Sequence, residues 1–144
     1  MYLVCIISFF HHYNNENFIL LPYQPYSLMD QVYSSSNLCL VPQASKTSLE
    51  AIPSKVYRIM ACSRPVLALT DPDSDLGSLV SESGCGLIVK PGLDKDLAET
   101  ILVASSKQEE CKQMGARGRE YVKSHYSRKK ITREYHDLIQ HLKS

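Results

Sequence analysis

The sequence lacks an excess of charge of either sign: 16 Lys+Arg stand against 15 Asp+Glu in 144 residues, a formal +1. That balance provides no global electrostatic attraction to nucleic acid or to an anionic membrane. No nucleic-acid partner is therefore expected. The sequence also lacks any CxxC pair. Cys5, Cys39, Cys62, Cys85 and Cys111 are scattered and odd in number, whereas a disulfide framework or structural zinc site needs tighter spacing. Buried reduced thiols are the expectation. There is no HExxH and no His i, i+4 pair among His11, His12, His125, His136 and His141. No internal repeat or low-complexity segment is present. The one long apolar run, Met1 to Phe10, is half the length a bilayer-spanning helix needs. It has neither the positive start nor the small-residue cleavage site of a signal peptide.

What is present is the composition of an ordinary globular domain, 44% hydrophobic and 22% charged. Met1 to Phe10, with Val4, Ile6, Ile7, Phe9 and Phe10, reads as a buried strand. Short apolar runs at Phe18 to Leu21, Leu38 to Val41, Pro65 to Leu69 and Gly86 to Val89 follow as strands. Helix-period segments lie between them. One covers Ser27 to Ser36 with Ser27 as a cap, and one starts with Pro53 at its first position and runs to about Cys62. A third covers Ser74 to Ser83 and ends at Gly84. After Pro91-Gly92 only helical patterns remain: Asp94 to Ala104, Gln108 to Lys123, and a last one from Ser127 with Ile131, Tyr135, Leu138 and Leu142 on one stripe. Strands alternating with helices demand crossover connections and so a parallel sheet. The expected fold is α/β, a Rossmann-like doubly wound parallel sheet. Ligands of such sheets sit outside the carboxyl ends of the strands, in the loops after Leu21, Val41, Leu69 and Val89.

The acidic stretch Asp71, Asp73, Asp75 with Glu82 imitates an EF-hand loop, but Leu76 stands where that loop requires Gly. Turn and helix-start roles account for these carboxylates better. The basic stretch Arg117 to Arg133 is interleaved with Glu120 and reads as a solvated helix face. The loop Glu50-Ala51-Ile52-Pro53-Ser54-Lys55 differs, because it feeds a helix start at the carboxyl end of a strand. Free backbone N–H groups there, the Ser54 hydroxyl and the Lys55 charge together suit an anion.

Several motifs occur in order: Leu21-Pro22-Tyr23-Gln24-Pro25, Val41-Pro42, Pro53-Ser54-Lys55-Val56-Tyr57, Ala61-Cys62-Ser63-Arg64-Pro65-Val66, Gly84 to Gly92, and Met114-Gly115-Ala116-Arg117-Gly118-Arg119. From Phe18 to Leu142 the chain resembles the C-terminal half of family 4 (group 1) glycosyltransferases, in the branch that serves exopolysaccharide, O-antigen and colanic acid synthesis. The resemblance implies the nucleotide-sugar-binding half of a GT-B fold in a retaining, metal-independent transferase with no cofactor. It implies transfer of a hexosyl or aminohexosyl group from a UDP- or GDP-linked sugar to a polysaccharide or lipid-linked acceptor. By the same resemblance Glu50 approaches the donor sugar as the catalytic residue. Tyr23 and Gln24 lie beside the base, Pro53, Ser54 and Lys55 contact the diphosphate, and Arg58 belongs to the donor site.

The chain departs from the family pattern in two motifs. The second glutamate of the E-x7-E motif is Arg58, a change that many members of this branch share, and Ser63 stands where Gly is usual. Residues 1–17 do not resemble the glycine-rich turn and helix that ordinarily precede the Phe18 strand, so they are taken as an atypical segment before a domain spanning 18–144. With only His11 to Asn17 between the two apolar runs, the front strand is expected to pair antiparallel beside the Phe18 strand or to protrude. A separate N-terminal acceptor domain is expected as partner, with cytoplasmic location, peripheral membrane contact in the full-length context, and no transfer by this chain alone. The rival readings are a non-catalytic remnant or nucleotide-binding module, and an epimerase of UDP-N-acetylglucosamine with the same fold. The Ala51 to Lys55 loop argues against the epimerase.

Overall fold

The computed structural model describes residues 3–5, 22–43 and 51–142. The expected Phe18 strand, Glu50 and the loop 44–49 lie outside the described residues. The elements run β1 (Leu3–Cys5), α1 (Met29–Ser34), β2 (Leu38–Pro42), α2 (Lys55–Ala61), β3 (Val66–Leu69), α3 (Asp75–Ser83), β4 (Gly86–Val89), α4 (Asp94–Ser106), α5 (Gln108–His125) and α6 (Arg128–His141). A single 3-10 turn, Tyr26–Leu28, leads into α1.

The four described strands form one sheet in the order β1-β2-β3-β4, every neighbouring pair parallel. The fold is α/β and Rossmann-like. Strand alternation divides the core between the two sheet faces. Cys39, Val41, Val66, Ala68 and Ile88 face a cluster with Tyr33 of α1, Val56, Ile59 and Met60 of α2, and Leu76, Leu79 and Val80 of α3. Leu38, Leu40, Leu67, Leu69, Leu87 and Val89 face the other way, onto Leu97, Ile101 and Ala104 of α4 and Cys111 of α5. Leu38, Leu67, Ile59 and Met60 are fully buried. Each such side chain contributes about 1.5–3 kcal/mol relative to exposure.

The front strand corrects one expectation. Leu3, Val4 and Cys5 pair in parallel with Leu38, Cys39 and Leu40, and the strand neither runs antiparallel nor protrudes. The residues between the front strand and Phe18 are too few for a parallel crossover to a strand there. The strand's partner is β2, and residues 6–37 give ample chain for a parallel crossover.

Helix boundaries follow local chemistry. Ser74 caps α3 by accepting from the Gly77 N–H at 3.0 Å, and Gly84 ends that helix in the left-handed region at φ 57°. Ser127 caps α6 by accepting from the Lys130 N–H. Two starts differ from expectation. Leu28, not Ser27, is the N-cap of α1, because the 3-10 turn Tyr26–Leu28 takes in the first two residues of the expected helix. Ser54 is the N-cap of α2, so Pro53 stands one residue outside the helix, where its carbonyl accepts from the Val56 N–H at 3.0 Å.

The end of α2 is a Schellman turn: the Ser63 N–H donates to Met60 O at 2.9 Å and the Arg64 N–H to Ile59 O at 3.2 Å. Ser63 takes φ 56° there, the left-handed conformation that favours glycine. Helix α5 crosses α2 and the β4 start through two glycines. A Cβ on Gly115 would stand 2.2 Å from Ser63 O, and one on Gly118 would stand 2.8 Å from Cys85 Cβ. Arg117, expected on a solvated face, donates from Nε to Gly84 O at 2.9 Å and so ties α5 to the end of α3.

Among the described residues no helix is long and apolar enough to cross a membrane.

Candidate functional site

The short α1 and α2 pack side by side on one face of the sheet, α2 starting past the carboxyl end of β2, and Tyr26 ahead of α1 contacts Arg58 of α2. Between them lies an open groove of about 430 Å³, lined by Tyr23, Gln24, Tyr26, Met29, Tyr33, Ser54, Lys55 and Arg58. Tyr23, Gln24, Ser54, Lys55 and Arg58 are thus brought together from two distant stretches of sequence. Pro53 shapes the entry to α2 without lining the groove.

Each wall has a local cause. Gln24 Nε2 donates to Pro22 O at 2.9 Å, which folds the 22–25 segment on itself and leaves Tyr23 almost fully exposed at the rim. Arg58 is held on three sides. Nη2 lies 2.8 Å from Asp30 Oδ1 and 3.5 Å from Tyr26 O, and the guanidinium carbon stands 4.0 Å from the centre of the Tyr26 ring. This is an ion pair combined with a cation–π contact. Tyr33 is buried, and that burial raises its phenol above the usual tyrosine range, with the Arg58 charge opposing. It remains a neutral hydroxyl at neutral pH.

The groove carries two cations, Lys55 and Arg58, and no carboxylate lines it among the described residues. A hydroxyl, an amide, tyrosine rings and two positive charges form a surface for an anionic ligand with a flat, polar part. Reading the sequence alone missed Tyr26, Met29, Tyr33 and Asp30. Tyr26, Met29 and Tyr33 share one helical face, but the run is too short for that face to show as a period.

The acidic stretch after β3 is a turn. Asp71 Oδ1 accepts from the Asp73 N–H at 3.1 Å, and Asp75 lies in the first turn of α3 behind the Ser74 cap. No group of three His, Cys, Asp or Glu side chains converges among the described residues. Cys39, Cys85 and Cys111 are buried free thiols, each raised by burial above the ordinary range, Cys39 to about 11. A second open groove, about 340 Å³, lies at the opposite, amino edge of the sheet between Asn37, Pro65 and α5.

Residues 7–121 match the family of glycosyl transferases group 1, and the chain belongs to that family. The fold is similar to part of the sucrose-phosphate synthase of Thermosynechococcus elongatus, at 27% sequence identity and a TM-score of 0.66. The likeness covers 77% of this chain and 26% of that enzyme, so this chain corresponds to about a quarter of the synthase. No curated protein matches the chain.

Proposed function

We propose that this domain binds the nucleoside-diphosphate part of a UDP- or GDP-linked sugar in the groove between α1 and α2. In this reading it serves as the donor half of a retaining hexosyl or aminohexosyl transferase. The carrying observation is the convergence of Ser54, Lys55 and Arg58 with Tyr23 and Gln24 on one groove at the carboxyl edge of the sheet, in a chain of the group 1 family. Lys55 and the backbone at the start of α2 face the diphosphate, and the Tyr23-Gln24 segment faces the base. Stabilisation of charge on the departing nucleoside diphosphate is then this half's main contribution to the reaction. Arg58, where the wider family has a second glutamate, serves the donor as a cation fixed by Asp30 and Tyr26.

Residues 18–144 form the donor domain in this proposal, and residues 1–17 are its atypical front. The acceptor, a polysaccharide or lipid-linked sugar, is held by a separate N-terminal domain, in the cytoplasm at the membrane face. Bringing acceptor and anomeric carbon together is a large part of the barrier reduction. Half a cleft binds a donor without turning it over. Isothermal titration of the 144-residue chain with UDP and GDP tests the reading. Saturable binding of either one supports it, and absence of binding to both overturns it. Sugar transfer by the chain alone would overturn the division of labour.

A further inference from the structure

The side chain of Gln43 is almost wholly buried at the carboxyl end of β2, outside the groove, yet both ends of its amide are engaged. Nε2 donates to the carbonyl of Ala51 at 2.9 Å. Oε1 accepts from the hydroxyl of Thr70, itself fully buried at the end of β3, at 2.8 Å. Thr70 Oγ1 lies 2.8 Å from Ser74 Oγ, the cap of α3, whose one proton goes either to Thr70 Oγ1 or to Asp71 O, 2.6 Å away. The Gln43 backbone is fixed as well, its N–H donating to Leu69 O at 3.0 Å. A line of polar contacts therefore starts at the α3 cap, crosses the ends of two strands and terminates on the backbone of Ala51.

Burying an amide is costly unless its donors and acceptors are satisfied. A methionine or leucine would fill the same space at the sheet edge with no polar requirement. What the amide does and an apolar side chain cannot do is hold the Ala51 carbonyl. Ala51 opens the stretch Ile52-Pro53-Ser54-Lys55, which turns at once into α2 and presents Ser54 and Lys55 to the groove.

We propose that Gln43 is a positioning residue: anchored by Thr70, it clamps the backbone at Ala51 and so sets where the loop delivers Ser54 and Lys55. The inference rests on the donor reading of the groove for its consequence in binding, though not for the clamp itself. Hydrogen exchange in the full 144-residue chain reads the clamp directly. In Gln43→Met the Val56 amide, which donates to Pro53 O at 3.0 Å where the loop enters α2, should exchange about tenfold faster, the scale of one lost buried hydrogen bond, while those of β2 and β3 stay as in the parent. Thr70→Val, which removes the anchor at constant volume, should do the same to a smaller degree, and Thr70→Ser should restore the parent pattern. UDP or GDP affinity should fall in step with the lost protection. Unchanged exchange at Val56 in both Gln43→Met and Thr70→Val overturns the clamp. So does faster exchange spread evenly over β2 and β3, which marks plain destabilisation, or affinity lost while the loop stays protected. If the parent chain binds neither diphosphate, the donor reading falls, and the exchange pattern still decides the clamp.

Discussion

Arg58 and Asp30 meet at 2.8 Å, joining α2 to α1 across 28 residues of sequence at the rim of the groove. The pair is asymmetric: the Arg58 side chain is 28% exposed and that of Asp30 69%. Asp30 therefore gives up little solvation to orient a cation that Tyr26 already supports from one face. Exposed ion pairs contribute about 0–1 kcal/mol. A double-mutant cycle of Asp30→Asn and Arg58→Ala in urea melts should give a coupling energy under about 1 kcal/mol. A coupling several times larger would mean that the pair holds α1 in place instead of merely aiming Arg58.

Lys55 is the first residue of α2 and lines the groove. A charge-assisted contact to a diphosphate contributes about 1.5–3 kcal/mol. Lys55→Ala should weaken UDP or GDP binding by about tenfold to a hundredfold in calorimetric titration. Equal affinities in parent and variant would remove Lys55 from the site.

Ser63 is the left-handed residue of the Schellman turn that closes α2, at φ 56°. A side chain in that region costs about 1–2 kcal/mol, and glycine escapes the cost. Ser63→Gly should stabilise the chain by about 1 kcal/mol in denaturant melts, net of the extra freedom glycine brings to the unfolded state. The sequence signals the strain, since family members usually carry Gly at this turn.

Gly115 makes the opposite case. In a helix interior, Gly→Ala normally stabilises by about 1 kcal/mol. Here the new Cβ would stand 2.2 Å from the carbonyl of Ser63, backbone that cannot move aside without unwinding the turn. Gly115→Ala should therefore destabilise by about 3 kcal/mol, the upper part of the overpacking range. A stabilised variant would show that α5 does not sit against α2 as described.

Much of this fold is legible in the sequence because its signals are local. The runs at Leu38, Val66 and Gly86 alternate between two buried faces, and Ser74, Gly84 and Ser127 mark helix ends by their own side-chain chemistry. The parallel pairing of Leu3–Cys5 with β2 joins residues 35 apart, and no local signal marks it. At the groove, the position of Ser54 and Lys55 at a helix start past a strand's carboxyl end is legible, and family resemblance singles out Tyr23 and Gln24. The short α1 spans under two turns, too few for its Tyr26, Met29 and Tyr33 face to stand out as periodic. The bonds from Gln43 to Ala51 and from Arg117 to Gly84 join residues with no pattern between them, and only the fold shows them.

Burial also sets how the chain responds to alkali. Desolvation raises Cys39 from 9.0 to about 11 and Tyr57 from 10.0 to about 12, the latter helped by the neighbouring Tyr126 ring hydroxyl. Tyr57 and Tyr126 pack with ring centres 4.8 Å apart where α2 meets the end of α5. Both groups hold their protons more tightly folded than unfolded. Their stabilising contribution is complete below the unfolded values and is lost as pH rises through the folded ones. Stability should therefore be flat from neutral pH to about 9 and should fall steadily between about 9 and 12, because the unfolded chain there releases protons that the folded chain keeps. Urea melts at pH 7, 9 and 10.5, with the parent set against Cys39→Ala and Tyr57→Phe, read this directly. Each variant should lose stability at neutral pH yet decline less steeply above pH 9. The same burial predicts that iodoacetamide at neutral pH leaves Cys39, Cys85 and Cys111 unlabelled in the folded chain and labels all three in urea. Native labelling of Cys39, or a parent whose stability holds constant to pH 10.5, would contradict the packing of α1 and α2 on this face of the sheet.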